Sequence, residues 1–340
     1  MTATNVNPTK FSIVIATYRR PAMLRDTLLS LRTLKIPSSV ALEVLIVDND
    51  PGQSAVEVAN ELAAECEQSF ALRYIAEPRT GLSHARNRGI EEAEGDFIGF
   101  LDDDVFISEH WLVAMLDCLE RTGAVAVGGP YVNHWEEEPD PTVLACQYRL
   151  VAPDWGEHEC TYQGRATPGG GNAVFRRRVF DTGLRFSPEL GRIGNLLLSG
   201  EDTEVFRRLQ KQGERLWYCP NAPMLHRISG ERLTQAYLIR RSFWFGYSYA
   251  IIDSRIDGLA AQLLYAVARL GKLSLVDTCR FAFAKLRRSA TGKLIARCSI
   301  ATQWGYLRAT FFPLPITDNP PPAAVVGVES QTSEAPTVSA

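Results

Sequence analysis

No glycine follows the first apolar run of this chain: "FSIVIAT" (11–17) opens directly into "YRRP". A Gly-x-Gly-x-x-Gly turn there would lay backbone N–H groups on a dinucleotide pyrophosphate, so that mode of binding is excluded. A GxxxxGK[ST] phosphate loop is missing as well. Seven cysteines (66, 118, 146, 160, 219, 279, 298) are odd in number and scattered, with no CxxC or Cys/His zinc spacing. They read as reduced thiols of a cytosolic protein, not as a disulfide framework. The opening "MTATNVNPTK" has no apolar core of the kind a secretory signal needs. Between 220 and 318 the longest uncharged run is eleven residues, short of the ~20 of a spanning helix.

What is present is a soluble, core-forming composition, 46% hydrophobic and 22% charged over 340 residues. The net charge of −3 conceals a split: residues 232–312 carry 13 Lys/Arg against 3 Asp, and the rest of the chain is correspondingly acidic. An acidic body with a basic segment points to an anionic partner for that segment. No nucleic-acid-binding motif accompanies the basic residues, which argues against nucleic acid.

The periodicity predicts strands at 11–17, 42–50, 72–77, 96–101 and 124–129, with helical patterns between them. Pro21 stands near the start of the first helix and Ser108 is the expected N-cap of the fourth. Such alternation over 130 residues means an α/β fold with a mostly parallel sheet covered by helices. Residues 130–230 are loop-rich, with "TPGGGNAVFRRRVF" (167–180) as strand or helix start and "GEDTEVFRRLQKQG" (200–213) as an amphipathic helix. "RLWYCPNAPMLHRIS" (215–229) reads as strand, turn and strand, and 232–312 as amphipathic helices. The domain reading is a disordered 1–9, a catalytic 10–230, a basic helical 231–312, and a disordered Pro/Ser/Thr-rich 313–340.

In open parallel sheets ligands collect beyond the carboxyl ends of the strands. Three strands here end in Thr17-Tyr18, Asp48-Asn49-Asp50 and Asp102-Asp103-Asp104. Three adjacent carboxylates repel unless a cation separates them. Mg²⁺ or Mn²⁺ suits hard oxygen ligands and substrate phosphates, and Asp102 and Asp104, two apart, project the same way from an extended segment. A solvated acidic turn is the bland alternative.

The set "SIVIATYRRP", "LIVDND", "GLSHARNRGIEEAEGDFIGFLDDD", "GGGNAVFRRRVF" and "GEDTEVFRRL" resembles family 2 glycosyltransferases of the GT-A fold, in order and spacing, over about residues 10–230. The resemblance implies a nucleotide-sugar donor, UDP-linked, a divalent metal, and inversion at the anomeric carbon. It implies Thr17, Tyr18, Asp48 and Asn49 at the nucleoside, with Arg79 or Arg86 at the base and ribose edge. Asp102 and Asp104 would be the outer positions of a DxD element, with Asp103 between them and Asp104 on the metal. Asp202 would be the base for the acceptor hydroxyl, and Glu201 would lie beside it. Gly169, Gly170, Gly171 and Asn172 would let backbone approach the donor sugar, His226 would be a further metal ligand, and Arg232 would reach the diphosphate. The sequence has "VDND" where "VDDG" or "VDDS" is common, and only "RRSFW" (240–244) stands where polymer synthases carry a Gln-x-x-Arg-Trp element and membrane helices.

The acceptor implied is a glycan or lipid-linked hydroxyl of the cell envelope. The basic helices suit peripheral contact with the anionic inner face of the cytoplasmic membrane, or packing on the catalytic sheet. A nucleotidyltransferase of GT-A-like fold is the first rival, and the glycine-free "ATYRRP" speaks against it. A non-catalytic sugar-nucleotide-binding scaffold is the second.

Overall fold

The computed structural model describes residues 8–314 except 151 and 195. The expected disordered segments therefore lie outside the described residues, apart from the few at their inner edges; Thr9 already belongs to the first strand.

The first half alternates as expected: β1 (Thr9–Thr17), α1 (Pro21–Leu31), β2 (Val40–Asp48), α2 (Val56–Cys66), β3 (Ala71–Ala76), α3 (Leu82–Glu92) and β4 (Phe97–Asp102). There follow β5 (Val105–Ile107), α4 (Trp111–Thr122), β6 (Ala126–Gly128), β7 (Tyr131–Trp135), α5 (Pro141–Leu144), β8 (Cys160–Thr161), β9 (Asn172–Arg176) and α6 (Arg178–Asp181). Then come α7 (Glu201–Lys211), β10 (Leu216–Tyr218), β11 (Met224–Ile228), α8 (Gln235–Asp257), α9 (Leu259–Lys272), α10 (Thr278–Leu286) and α11 (Ala290–Phe311).

The main sheet runs β3-β2-β1-β4-β9-β6-β10-β8, and a small sheet runs β5-β11-β7. β1 to β4 are parallel, whereas β9 is antiparallel to both β4 and β6. Of the parallel strands, β1, β2 and β4 are buried on both faces, as in α/β sheets generally, and edge strand β3 is only partly buried. One apolar cluster packs α1, α2 and α4 on one face around Leu28, Leu62 and Trp111, and the other packs α3 and α7 on the opposite face around Ile90, Phe175 and Phe206.

Register delivers the polar ends together. Thr17 pairs with Asp48, and Ala16 with Asp102, so all three segments finish at one edge. β11 is antiparallel to β5 with His226 opposite Val105, which sets His226 beside Asp104 from a distant part of the chain.

Ser108 is not the N-cap of α4. His110 holds that position without a side-chain cap, and Ser108 contributes only its carbonyl, to the N–H of Trp111.

The four C-terminal helices pack on one another, and α8 and α11 also pack on α7 and α5. Gly246 of α8 and Gly305 of α11 lie so close to the facing backbone that an added Cβ would meet a carbonyl oxygen at 1.9 Å in each case. Buried Asp253 of α8 takes Arg207 of α7 at 2.7 Å and the Tyr306 hydroxyl of α11 at 3.1 Å, fastening α7 to the bundle. Leu259–Leu286 is helical throughout for 28 residues and is, by length and composition, long and apolar enough to cross a membrane. Counting uncharged runs missed this stretch because Arg269 and Lys272 interrupt it.

Candidate active site

The acidic cluster is built on strand ends and answers the question of what separates its charges: in this structure, guanidinium groups do. Asp103 is buried, accepts from the Thr17 hydroxyl at 2.8 Å and faces Arg20 at 3.3 Å. Asp104 is held by Arg20 at 3.2 Å and Arg232 at 3.1 Å. Burial and the adjacent Asp104 push the Asp103 carboxyl up to about 7. Burial would also raise Asp104, but His226, Arg232 and Arg20 outweigh it and hold Asp104 below the usual carboxylate range. Asp104 is thus the ionised member of the buried pair.

Asp102, Asp104 and His226 each present a ligand atom within 4.8 Å of the others. Burial pushes the His226 imidazole below its ordinary pKa, against the pull of Asp104, and its Nδ1 is buried without a partner. A neutral imidazole and two carboxylates form a donor set suited to Mn²⁺ or Mg²⁺. These three residues are the ones expected from the sequence. They fit the ion.

The second half of the site comes from the start of α7 and the glycine loop before β9. The Gly170 N–H donates to Asp202 Oδ2 at 2.7 Å, and the Thr203 N–H donates to its Oδ1 at 2.6 Å. A Cβ on Gly170 would lie 2.5 Å from that of Asp202, and one on Gly171 would lie 2.1 Å from Asp102 Oδ2. Gly170 and Gly171 are therefore small because two acids crowd the loop, one on each side. The close approach expected toward a sugar is, in this structure, an approach to Asp102 and Asp202; Gly169 likewise makes room for the Tyr131 ring. The Gly171 N–H donates to the Tyr131 hydroxyl at 2.8 Å.

Arg86 is held inside the site. It is buried, bonds Glu201 at 2.6 Å and Asp102 at 3.2 Å, and lies over the Phe186 ring. It joins the two halves of the site. Burial first, then Asp202, pushes Glu201 up to about 7, with Arg86 opposing. The sign for stability follows: the unfolded chain releases this proton near the ordinary glutamate value, the folded chain only at about 7. Between these values the native state holds more protons, so this group's contribution falls as pH rises and is flat above the folded pKa. Melting temperatures from pH 4 to 8 should therefore show a downward component that Glu201→Gln removes.

Several expected contacts are consumed internally. Asp48 is fully buried and accepts from the N–H groups of Asp50 and Ala55 and from the Tyr74 hydroxyl. Asn49 donates to the carbonyls of Glu77 and Arg79 and accepts from the Gly81 N–H, stapling two strand-end loops. Asn172 is saturated by Trp111, Pro130 and Ala222 and does not face the site. In each case the residue shapes the edge through polar atoms engaged within the fold. Tyr18 stays exposed at the rim under Arg19. Arg79 clamps Glu77 at 2.8 Å.

Residue type alone did not flag Arg20, Tyr131, Arg192, Tyr237 and Arg241. Arg192 bonds the Tyr237 hydroxyl at 3.2 Å, and Arg241, one turn on along α8, has a buried Nη1 without a partner. Burial, then the like charges of Arg192 and Arg232, pushes Arg241 down to about 10. The helical 3.6-residue spacing of Tyr237 and Arg241 was the available signal. Its target was not.

The sheet order, the acid cluster at its carboxyl edge and the α7 acid pair define a GT-A fold. Its solved neighbours include a mannosyltransferase of Pyrobaculum calidifontis in complex with GDP-Man and Mn²⁺, with a TM-score of 0.56 at 17% identity over 89% of this chain and 90% of that one. Residues 1–349 of Staphylococcus aureus TarS align with a TM-score of 0.51 at 14% identity, over 87% and 89%. The chain belongs to glycosyl transferase family 2, whose model matches residues 12–184. It is 32% identical over 258 residues to the succinoglycan biosynthesis protein ExoM of Rhizobium meliloti, covering 75% of this chain and 79% of that one. It is also 33% identical over 178 residues to a glucosyl-dolichyl phosphate glucuronosyltransferase of Haloferax volcanii, covering 51% and 56%.

Proposed function

We propose that the chain is an inverting, metal-dependent glycosyltransferase that moves a sugar from a nucleotide donor, UDP-linked, to a hydroxyl of a glycan or lipid-linked acceptor in cell-envelope assembly. The observation that carries this reading is the glycine loop itself, with Asp202 on one side and the Asp102–Asp104–His226 set on the other. A base and a diphosphate-binding edge separated by one loop suit attack on an anomeric carbon from the face opposite the leaving group.

In this reading Asp202, aimed by two backbone N–H groups, takes the proton of the acceptor hydroxyl. The hydroxyl oxygen forms the new bond to the anomeric carbon as the carbon–phosphate oxygen bond breaks, and the electron pair leaves with the nucleoside diphosphate. Proton removal of this kind contributes typically ~10²–10⁴-fold. Asp102, Asp104 and His226 would hold Mg²⁺ or Mn²⁺, which when bound offsets charge on the departing diphosphate. Arg232, Arg192 and Arg241 add positive charge beside that edge, for the same anion. Glu201, paired to Arg86, fixes the position of the acid pair.

Kinship with a succinoglycan biosynthesis protein and with a glycosyltransferase acting on a dolichyl phosphate-linked sugar supports an envelope acceptor. We place the chain at the inner face of the cytoplasmic membrane through residues 232–312.

The test is a thermal-shift panel of nucleotide sugars with and without Mn²⁺. The donor should raise the melting temperature most and only with the ion, as mass action requires. Turnover should release a nucleoside diphosphate; pyrophosphate would instead identify a nucleotidyltransferase, and binding with no turnover a scaffold.

A further inference from the structure

The continuous helix formed by α9 and α10 is inside out for water. A helix on a soluble protein turns its apolar stripe to the core. Here several polar side chains turn inward: Gln262 meets Thr310, Arg269 meets Gln303, and Lys272 meets buried Asp277 and Ser299, while Ser274, Thr278, Arg280 and Lys285 stay exposed. Much of the outward face is aliphatic, with Leu264 71% exposed, Leu275 74% and Leu286 81%. Soluble monomers rarely leave such a face bare.

Beside it, α8, α10 and α11 enclose an open groove of about 870 Å³. Its walls are Phe243, Phe281 and Trp304, and its rim carries Arg240, Arg297 and Arg308; no carboxylate lines it among the described residues. Arg308, one of its lining residues, has a buried Nη1 without a hydrogen-bond partner, and its guanidinium lies over the Phe312 ring. An apolar trough with an arginine rim matches one kind of molecule, an amphiphile with a hydrocarbon chain and an anionic head. The basic residues Lys285, Arg287, Arg288 and Lys293 continue the same charge at the junction of α10 and α11.

We propose that this groove binds one acyl chain of an anionic phospholipid, with the lipid phosphate at the end where Arg240 and Arg308 stand and Arg297 further along the same wall. The aliphatic face of α9 and α10 then lies in the surface of the bilayer. A helix of this composition, lying in the interface plane, is held by buried apolar area together with attraction to anionic headgroups. The proposal rests on the membrane placement given under Proposed function and names its site and its ligand.

The test uses the full chain with vesicles of phosphatidylcholine alone or mixed with phosphatidylglycerol, the latter also carrying brominated acyl chains. Binding should require phosphatidylglycerol, and the bromines should quench tryptophan fluorescence. Trp304→Phe should remove most of that quenching. Ala301→Phe, which fills the groove, should remove the quenching and weaken binding. The triple change Arg240→Gln, Arg297→Gln, Arg308→Gln should weaken binding roughly a hundredfold, at ~1 kcal/mol per basic residue near an anionic surface. Melting temperature and turnover of a soluble acceptor, measured in parallel, should stay near wild type in every variant. Phosphatidylglycerol-dependent binding without quenching would overturn the groove and leave the membrane placement standing. No vesicle binding would overturn both. A mass that doubles with concentration, together with loss of vesicle binding, would assign the face to a second copy of the chain and overturn the lipid site.

Discussion

Asp202→Asn should stop sugar transfer while leaving donor binding within a few-fold of wild type. The carboxylate is the one acid of the cluster with no arginine or lysine bonded to it; its partners are the N–H groups of Gly170 and Thr203 and the Thr203 hydroxyl. Asparagine keeps the size of the side chain but cannot take a proton, so kcat should fall by ~10²–10⁴. KM for the donor should hardly move, because the donor diphosphate is assigned to the other side of the glycine loop. Glu201→Gln offers the contrast. Its carboxyl is committed to Arg86, so its loss should disturb donor and acceptor parameters together and by less. Transfer by Asp202→Asn at the wild-type rate would remove it as the base, whatever the effect on stability.

Much of the catalytic half was legible because two local signals agreed. Strand-length apolar runs placed β1, β2 and β4, and their last residues named the edge where Thr17, Asp48 and Asp102 meet. The start of α7 was marked by "GED" and the metal set by residue chemistry plus family resemblance. What the sequence concealed was long-range. β9 inserts antiparallel between β4 and β6 after a loop-rich stretch whose periodicity carries no pairing information. The bond from Arg86 to Glu201 spans 115 positions. No spacing rule reaches that far.

A second concealment is subtler. Asp48, Asn49 and Asn172 have the right chemistry for a ligand, and their sequence context is right as well. Yet each has its polar atoms paired within the fold. A sequence shows which groups can bond, and only the packed structure shows which are already bonded. The C-terminal helices illustrate the same limit in reverse: periodicity reveals that α9 has an apolar stripe, but not that the stripe faces away from the bundle.

Asp104→Ala should abolish turnover that depends on Mn²⁺ or Mg²⁺, and titration calorimetry or the Mn²⁺ electron-spin signal should show that the ion is no longer held. Loss of a Lewis acid worth several kcal/mol to a departing diphosphate corresponds to a fall on the order of a thousandfold. The same residue also anchors Arg20, Arg232 and His226. Removing it leaves Arg20 with Asp103 alone, and Arg232 and His226 without their carboxylate. Some loss of stability is therefore expected, and it must be separated from loss of the ion. Asp104→Asn makes the separation, since it retains an oxygen for Arg20 or Arg232 but gives up the charge. If the metal reading is right, Asp104→Asn should melt closer to wild type than Asp104→Ala and still fail to hold Mn²⁺. A fully active wild-type enzyme in excess EDTA would refute the metal role, and the cluster would then serve only to seat its arginines.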